Sequence, residues 1–140
     1  MTTKKQFILF ATAAYITLVS SSISFASETS TETCANGAGT IIVGKITGHK
    51  YCMSHKNLNW WNAHAWCDAL GKRLFSLDDC ACNSSRDCYS MCPEMAIQDP
   101  GWAVTATPKS ETSVNNIRLS DGYIGGGISR NTATIPAICK

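Results

Sequence analysis

The chain has 140 residues, 12 Lys plus Arg against 10 Asp plus Glu, and eight cysteines. That length bounds it to one ordinary domain. The near-even charge argues against nucleic acid or an anionic membrane as a partner, since either would require a basic face or run, and Lys72-Arg73 is the only basic pair beyond Lys4-Lys5.

The first 26 residues have the three parts of an export signal. Lys4 and Lys5 form the basic end. The apolar run from Phe7 to Val19 is too short for a comfortable membrane span, and Ser24 and Ala26 supply the small side chains before a cut after Ala26. The small-residue exit and the polar Ser/Thr/Glu stretch that follows favour release over an uncleaved anchor. Cys34 follows Thr31-Glu32-Thr33 rather than an apolar triplet, so a lipid anchor is not expected. Loss of Lys4 and Lys5 brings the mature chain close to neutral, with no membrane span.

Residues 27–39 are rich in Ser, Thr, Glu and Gly, and read as a flexible lead-in tied down only by Cys34. The domain proper is expected over residues 40–140. Thr40 to Ile46 is β-branched, Thr47-Gly-His49 has turn chemistry, and Lys50 to Ser54 returns as a second strand. Asn59 caps a helix over Trp60 to Leu70, which Gly71 ends. Its apolar stripe is Trp60, Ala63, Trp66, Cys67 and Leu70. Leu74 to Leu77 is a short extended piece. Residues 78–93 form a stapled loop, with Cys80, Cys82, Cys88 and Cys92 and almost no core-forming residues. Strands are expected over Trp102 to Thr107, Val114 to Leu119, from Tyr123 into the glycines at 125–127, and Ile135 to Cys139. A tight turn at Ser120-Asp-Gly122 joins two of them.

Eight cysteines in an exported chain read as four bridges rather than reactive thiols or a zinc centre, because the compartment is oxidising. Spacing alone does not fix their pairing. His49, His55 and His64 lack ligand spacing and read as surface residues, so no metal or cofactor is expected. There is no Gly-x-Ser-x-Gly elbow, and Gly125-Gly-Gly127 follows a hairpin turn instead of opening a helix as a phosphate loop does. The chain is therefore read as a non-enzyme.

The helix motif of Trp60, Ala63, Cys67, Gly71, Leu74 and Leu77 occurs together with Trp102, Ile117-Arg-Leu-Ser-Asp-Gly122 and Ala137-Ile-Cys-Lys140. Over residues 41 to 140 this combination resembles the C-type lectin-like fold. The resemblance implies a compact α+β domain with short antiparallel sheets and one main helix. It implies a Cys67–Cys139 bridge and, as in longer members, Cys34–Cys52. The remaining four cysteines would pair within their loop, as Cys80–Cys92 with Cys82–Cys88 or crossed. Sugar-binding members hold calcium through Glu-Pro-Asn or Gln-Pro-Asp and then Trp-Asn-Asp, because calcium needs six to eight oxygens. This chain has neither motif: Gln98-Asp-Pro100 is in another order and precedes Trp102. A compact form without the calcium loop is implied.

Trp60, Trp66 and Trp102 read as core, whereas Trp61 lies about 100° round the helix from Trp60, at the core edge or partly exposed for binding. The polar residues Lys109, Glu111, Asn115, Asn116 and Arg118 gather near Trp102. Ile117 and Leu119 choose the core face, so alternation turns Asn116 and Arg118 outward. Trp61, Lys109, Asn116 and Arg118 are thus the candidate binding residues. The expected function is a secreted or extracytoplasmic recognition or adhesion module that binds a protein or glycan without calcium. A structural subunit of a surface assembly and a small secreted enzyme or inhibitor are the rival readings.

Overall fold

A computed structural model describes residues 31–82 and 90–140. The expected signal peptide and Cys88 lie outside the described residues.

Among the described residues there are seven strands and one α-helix, a broadly α+β architecture. The strands are β1 (Thr33–Cys34), β2 (Gly39–Val43), β3 (Lys50–Leu58), β4 (Trp102–Pro108), β5 (Ser113–Arg118), β6 (Ile124–Ser129) and β7 (Ile135–Cys139), and the helix is α1 (Trp60–Ala69). The expected short antiparallel sheets are joined into one mixed sheet of order β1-β2-β3-β7-β4-β5-β6. The join is a parallel contact between β4 and β7, Val104 opposite Ala137; the other pairings are antiparallel.

The sheet begins before the expected boundary at residue 40. Thr33 and Cys34 pair with Thr40 and Gly39, and the Cys34–Cys52 disulfide ties this edge to β3. β2 stops at Val43 although Ile46 is β-branched. The reason is distant: the amides of Lys45, Ile46 and Thr47 donate to the main-chain and side-chain oxygens of Glu94, and so are withdrawn from the ladder. β3 runs on to Leu58 because Asn57 and Leu58 pair with Pro136 and Ile135 of β7.

Asn59 caps α1 by accepting from the Asn62 amide at 2.9 Å, and Gly71 takes the left-handed conformation (φ +65°) just past its end. Ala63 and Cys67 are the helix residues that are fully buried. They pack with Val104, Val114, Ala137 and Cys139 on one face of the sheet, and the Cys67–Cys139 disulfide fastens helix to closing strand. The alternate residues Ala103, Ile117 and Ile138 point the other way, into a second cluster with Tyr51, Phe75 and Met95. Residues 75–82 and 90–97 cover that face, with their Cys80–Cys92 disulfide buried in the cluster. No cysteine among the described residues is free. Cys82 is disulfide-bonded, and its expected pairing with Cys88 reaches outside the described residues.

This two-sided covering corrects one expectation. Asn116 is not turned to solvent: it is only 9% exposed. Its partner across the ladder is Val104, so its side chain shares the helix-side face with a core valine. Alternation separates two faces of a strand, and here neither face is simply wet.

Candidate functional site

The strongest surface constellation forms where β4 begins and β5 ends. Trp102 and Arg118 are directly opposite in the antiparallel ladder, so their side chains emerge together on one face. Beyond Arg118 the chain reverses: the Gly122 amide donates to the Arg118 carbonyl, and the Arg118 amide to that of Tyr123, both at 2.8 Å. This returns Tyr123 beside Arg118. The guanidinium lies 5.7 Å from the Trp102 ring centroid and 5.1 Å from that of Tyr123, and the two rings meet edge to face at 6.3 Å.

Asp121 in the turn fixes the arginine. Its carboxylate accepts from Arg118 Nε at 3.0 Å and Nη2 at 2.5 Å, a two-pronged pair, and also from the Tyr123 amide at 3.0 Å. The hydrogen bonds from Arg118, then that from the Tyr123 amide, hold the Asp121 carboxyl down to about 2. Tyr123 is 41% exposed and Met91, bridged to it through the backbone, is 38% exposed.

Asn116 lies at the inner side of this patch. Directly opposite it is Gly125 of β6, where a Cβ would stand 2.8 Å from Trp102 Cζ3 and closer still to Asn116 Oδ1. Only glycine fits there, and the first of the three consecutive glycines thereby makes room for both side chains. Asn116 Oδ1 is buried without a hydrogen-bond partner. Lys109 is exposed, and its ammonium donates to the Gly126 carbonyl at 2.7 Å, one residue beyond Gly125.

Of the four sequence-predicted residues, Arg118 and Asn116 are thus brought to Trp102, and Lys109 to the adjoining β6 backbone. Trp61 belongs elsewhere. It is 55% exposed at the start of α1, packs edge to face on Trp60 at 4.6 Å, and donates its indole N–H to Asn131 at 2.9 Å. Trp60, partly buried, donates to the Thr105 carbonyl and lies under the Arg130 guanidinium at 4.8 Å. His64 also packs on Trp60, at 4.4 Å, and burial pulls its imidazole pKa down against the opposing charge of Asp68.

Asp121, Tyr123 and Met91 were not among the candidates from sequence. An Arg-x-x-Asp spacing across a tight turn, followed at once by an aromatic, is the signal that was present. Met91 left none, because its bridge to Tyr123 joins distant parts of the chain.

The chain matches no family model, no curated protein and no solved structure. The patch itself offers stacking surface and a fixed guanidinium, beside a buried amide whose Oδ1 is unpartnered.

Proposed function

We propose that the chain is an exported, non-catalytic recognition module of the compact C-type lectin-like kind, which binds a protein or a glycan without calcium. One observation carries the binding role: Trp102, Arg118 and Tyr123 form a surface patch whose arginine is already held in place by Asp121. A preformed aromatic and polar surface binds at low ordering cost. The disulfide from helix to closing strand and the return of β7 to the sheet centre support the fold assignment. Three disulfides among the described residues fit an oxidising compartment. No described helix is long and apolar enough to cross a membrane.

The test is binding of the mature protein to a glycan array, with and without EDTA, beside the Tyr123→Ala variant. Binding should survive chelation and be lost in the variant. Loss of binding on adding EDTA would overturn the calcium-free reading.

A further inference from the structure

The Trp102 patch sits on β4 and β5; across β7, on the β2–β3 half of the sheet, lies a recess of about 340 Å³. It stands between the turn holding Gly37 and Ala38, the second half of β3, and α1. We propose that this recess binds a small apolar carboxylate, with the hydrocarbon against Trp66 and Leu58 and the acid group at the ammonium of Lys56.

The walls select an apolar body. Ala38, Leu58 and Trp66 line the recess, and the last two pack against the helix-side core cluster. Ser54, the buried polar residue of the lining, is already satisfied: its hydroxyl donates to the Lys56 carbonyl at 2.7 Å and accepts from the Ala137 amide at 2.9 Å. Water against such walls lacks the several polar partners that hold it, so an apolar group displaces it at little loss. The volume lies near the lower end of the range for small-molecule sites, about 300–1,000 Å³, which suits one ring and a short chain.

Lys56 selects the charge. It is exposed, lines the recess, and has no carboxylate partner among the described residues, whereas Lys50 and Lys140 are paired with Glu32 and Asp79. No acidic side chain shares the lining. The Trp66 indole N–H is likewise uncommitted: those of Trp60 and Trp61 donate to Thr105 and Asn131, while that of Trp66 has no partner among the described residues.

Neighbouring stretches of the chain do not account for the recess. Thr33 pairs with Thr40, and Glu32 accepts from the Ile41 amide, so the described chain before β1 runs towards Val43 and away from Gly37 and Ala38. Cys82 packs against the cluster on the opposite face of the sheet from Trp66.

Titration of the mature protein with phenylbutyrate, followed by NMR of the tryptophan indole N–H groups, tests the site. The acid should bind and move the Trp66 signal, identified by its absence from Trp66→Phe, while leaving that of Trp61 in place. Phenylbutanol should bind about fivefold more weakly, the margin of a solvent-exposed ion pair, and phenylbutylamine not detectably. Lys56→Gln should lower the affinity for the acid to that for the alcohol and leave the alcohol unchanged, a pattern that loss of folding does not produce. Raised salt should do the same to the unaltered protein. Equal binding of acid and alcohol, or an affinity for the acid that Lys56→Gln leaves unchanged, overturns the proposal. So does an absence of binding at millimolar concentration, or a shift confined to the other tryptophans. Each of these results leaves the role of the Trp102 patch standing, because the two sites share no residue.

Discussion

Helix α1 and the described parts of segment 75–97, residues 75–82 and 90–97, cover opposite faces of the same sheet, and they are held there by partly different chemistry. The helix uses apolar contact, through Ala63 and Cys67 against Val104, Val114 and Ala137, with one disulfide to β7. The segment contributes Phe75, Cys80, Cys92 and Met95 to its core cluster, with Leu77, Cys82 and Ile97 packed against it, and adds carboxylate attachments that the helix lacks. Glu94, with no exposed surface, accepts from the Ile46 and Thr47 amides at 3.0 Å, from the Thr47 hydroxyl, and from the Tyr51 hydroxyl at 2.9 Å. Asp79 accepts from Arg73 at 2.5 and 2.7 Å, from Lys140 at 2.7 Å, and from the amide and hydroxyl of Ser76. Besides its apolar contacts and its Cys80–Cys92 bridge, the segment is thus pinned by two carboxylates whose oxygens are satisfied. Removing one partner from such a network leaves the remaining groups buried and unpaired, which costs more than the intact network contributes.

The largest expected effects are those of the disulfides, and they rank the two covers. Converting Cys67 and Cys139 to serine opens a link spanning 72 residues and should cost about 4 kcal/mol, whereas opening Cys80–Cys92, spanning 12, should cost about 3 kcal/mol. Chemical denaturation of both variants measures the order. A reversed order would mean that the segment depends on its bridge for more than loop closure. Next comes Glu94→Gln, which preserves shape but loses the charge and turns an amide nitrogen towards donors. About 2–3 kcal/mol should be lost. Hydrogen exchange should quicken first at the Ile46 and Thr47 amides, and equal quickening across α1 would show that the two covers are not separable.

Local chemistry made much of the helix-side cover legible in the sequence. The Asn59 cap, the stripe through Ala63 and Cys67, and Gly71 all act within a few residues of one another, and β-branched runs marked β4, β5 and β7. The other cover was not legible, because its determinants act across distance. Ile46 leaves its strand for a carboxylate 48 residues away, and no pattern around either residue announces the other. The site was readable to the same extent. Arg118 beside Trp102 followed from strand alternation and proximity. The burial of Asn116 depended on what covers the second face of the sheet, and Trp61 takes its partner, Asn131, from 70 residues away.

Acid should separate the two covers with a smaller effect. Burial pushes both carboxyls up, yet the hydrogen bonds outweigh it: those from Thr47, Tyr51 and Ile46 hold Glu94 below the usual range, and those from Arg73, Lys140 and Ser76 do so for Asp79. In the unfolded chain both return to about 4. Their contribution is therefore fully present above that value and is lost as pH falls towards the depressed folded values, where the native state also takes up the protons. Stability measured by denaturant midpoint should fall as pH drops below about 4. The slope should flatten in a variant carrying Glu94→Gln and Asp79→Asn. The variant lacking the Cys67–Cys139 bridge should keep the slope of the unaltered protein from a lower starting stability, since the hydrogen-bond partners of Glu94 and Asp79 lie outside α1. If opening that bridge changed the acid slope as much as the two carboxyl substitutions do, the covers would be coupled through the sheet and the division between an apolar and a polar attachment would fail.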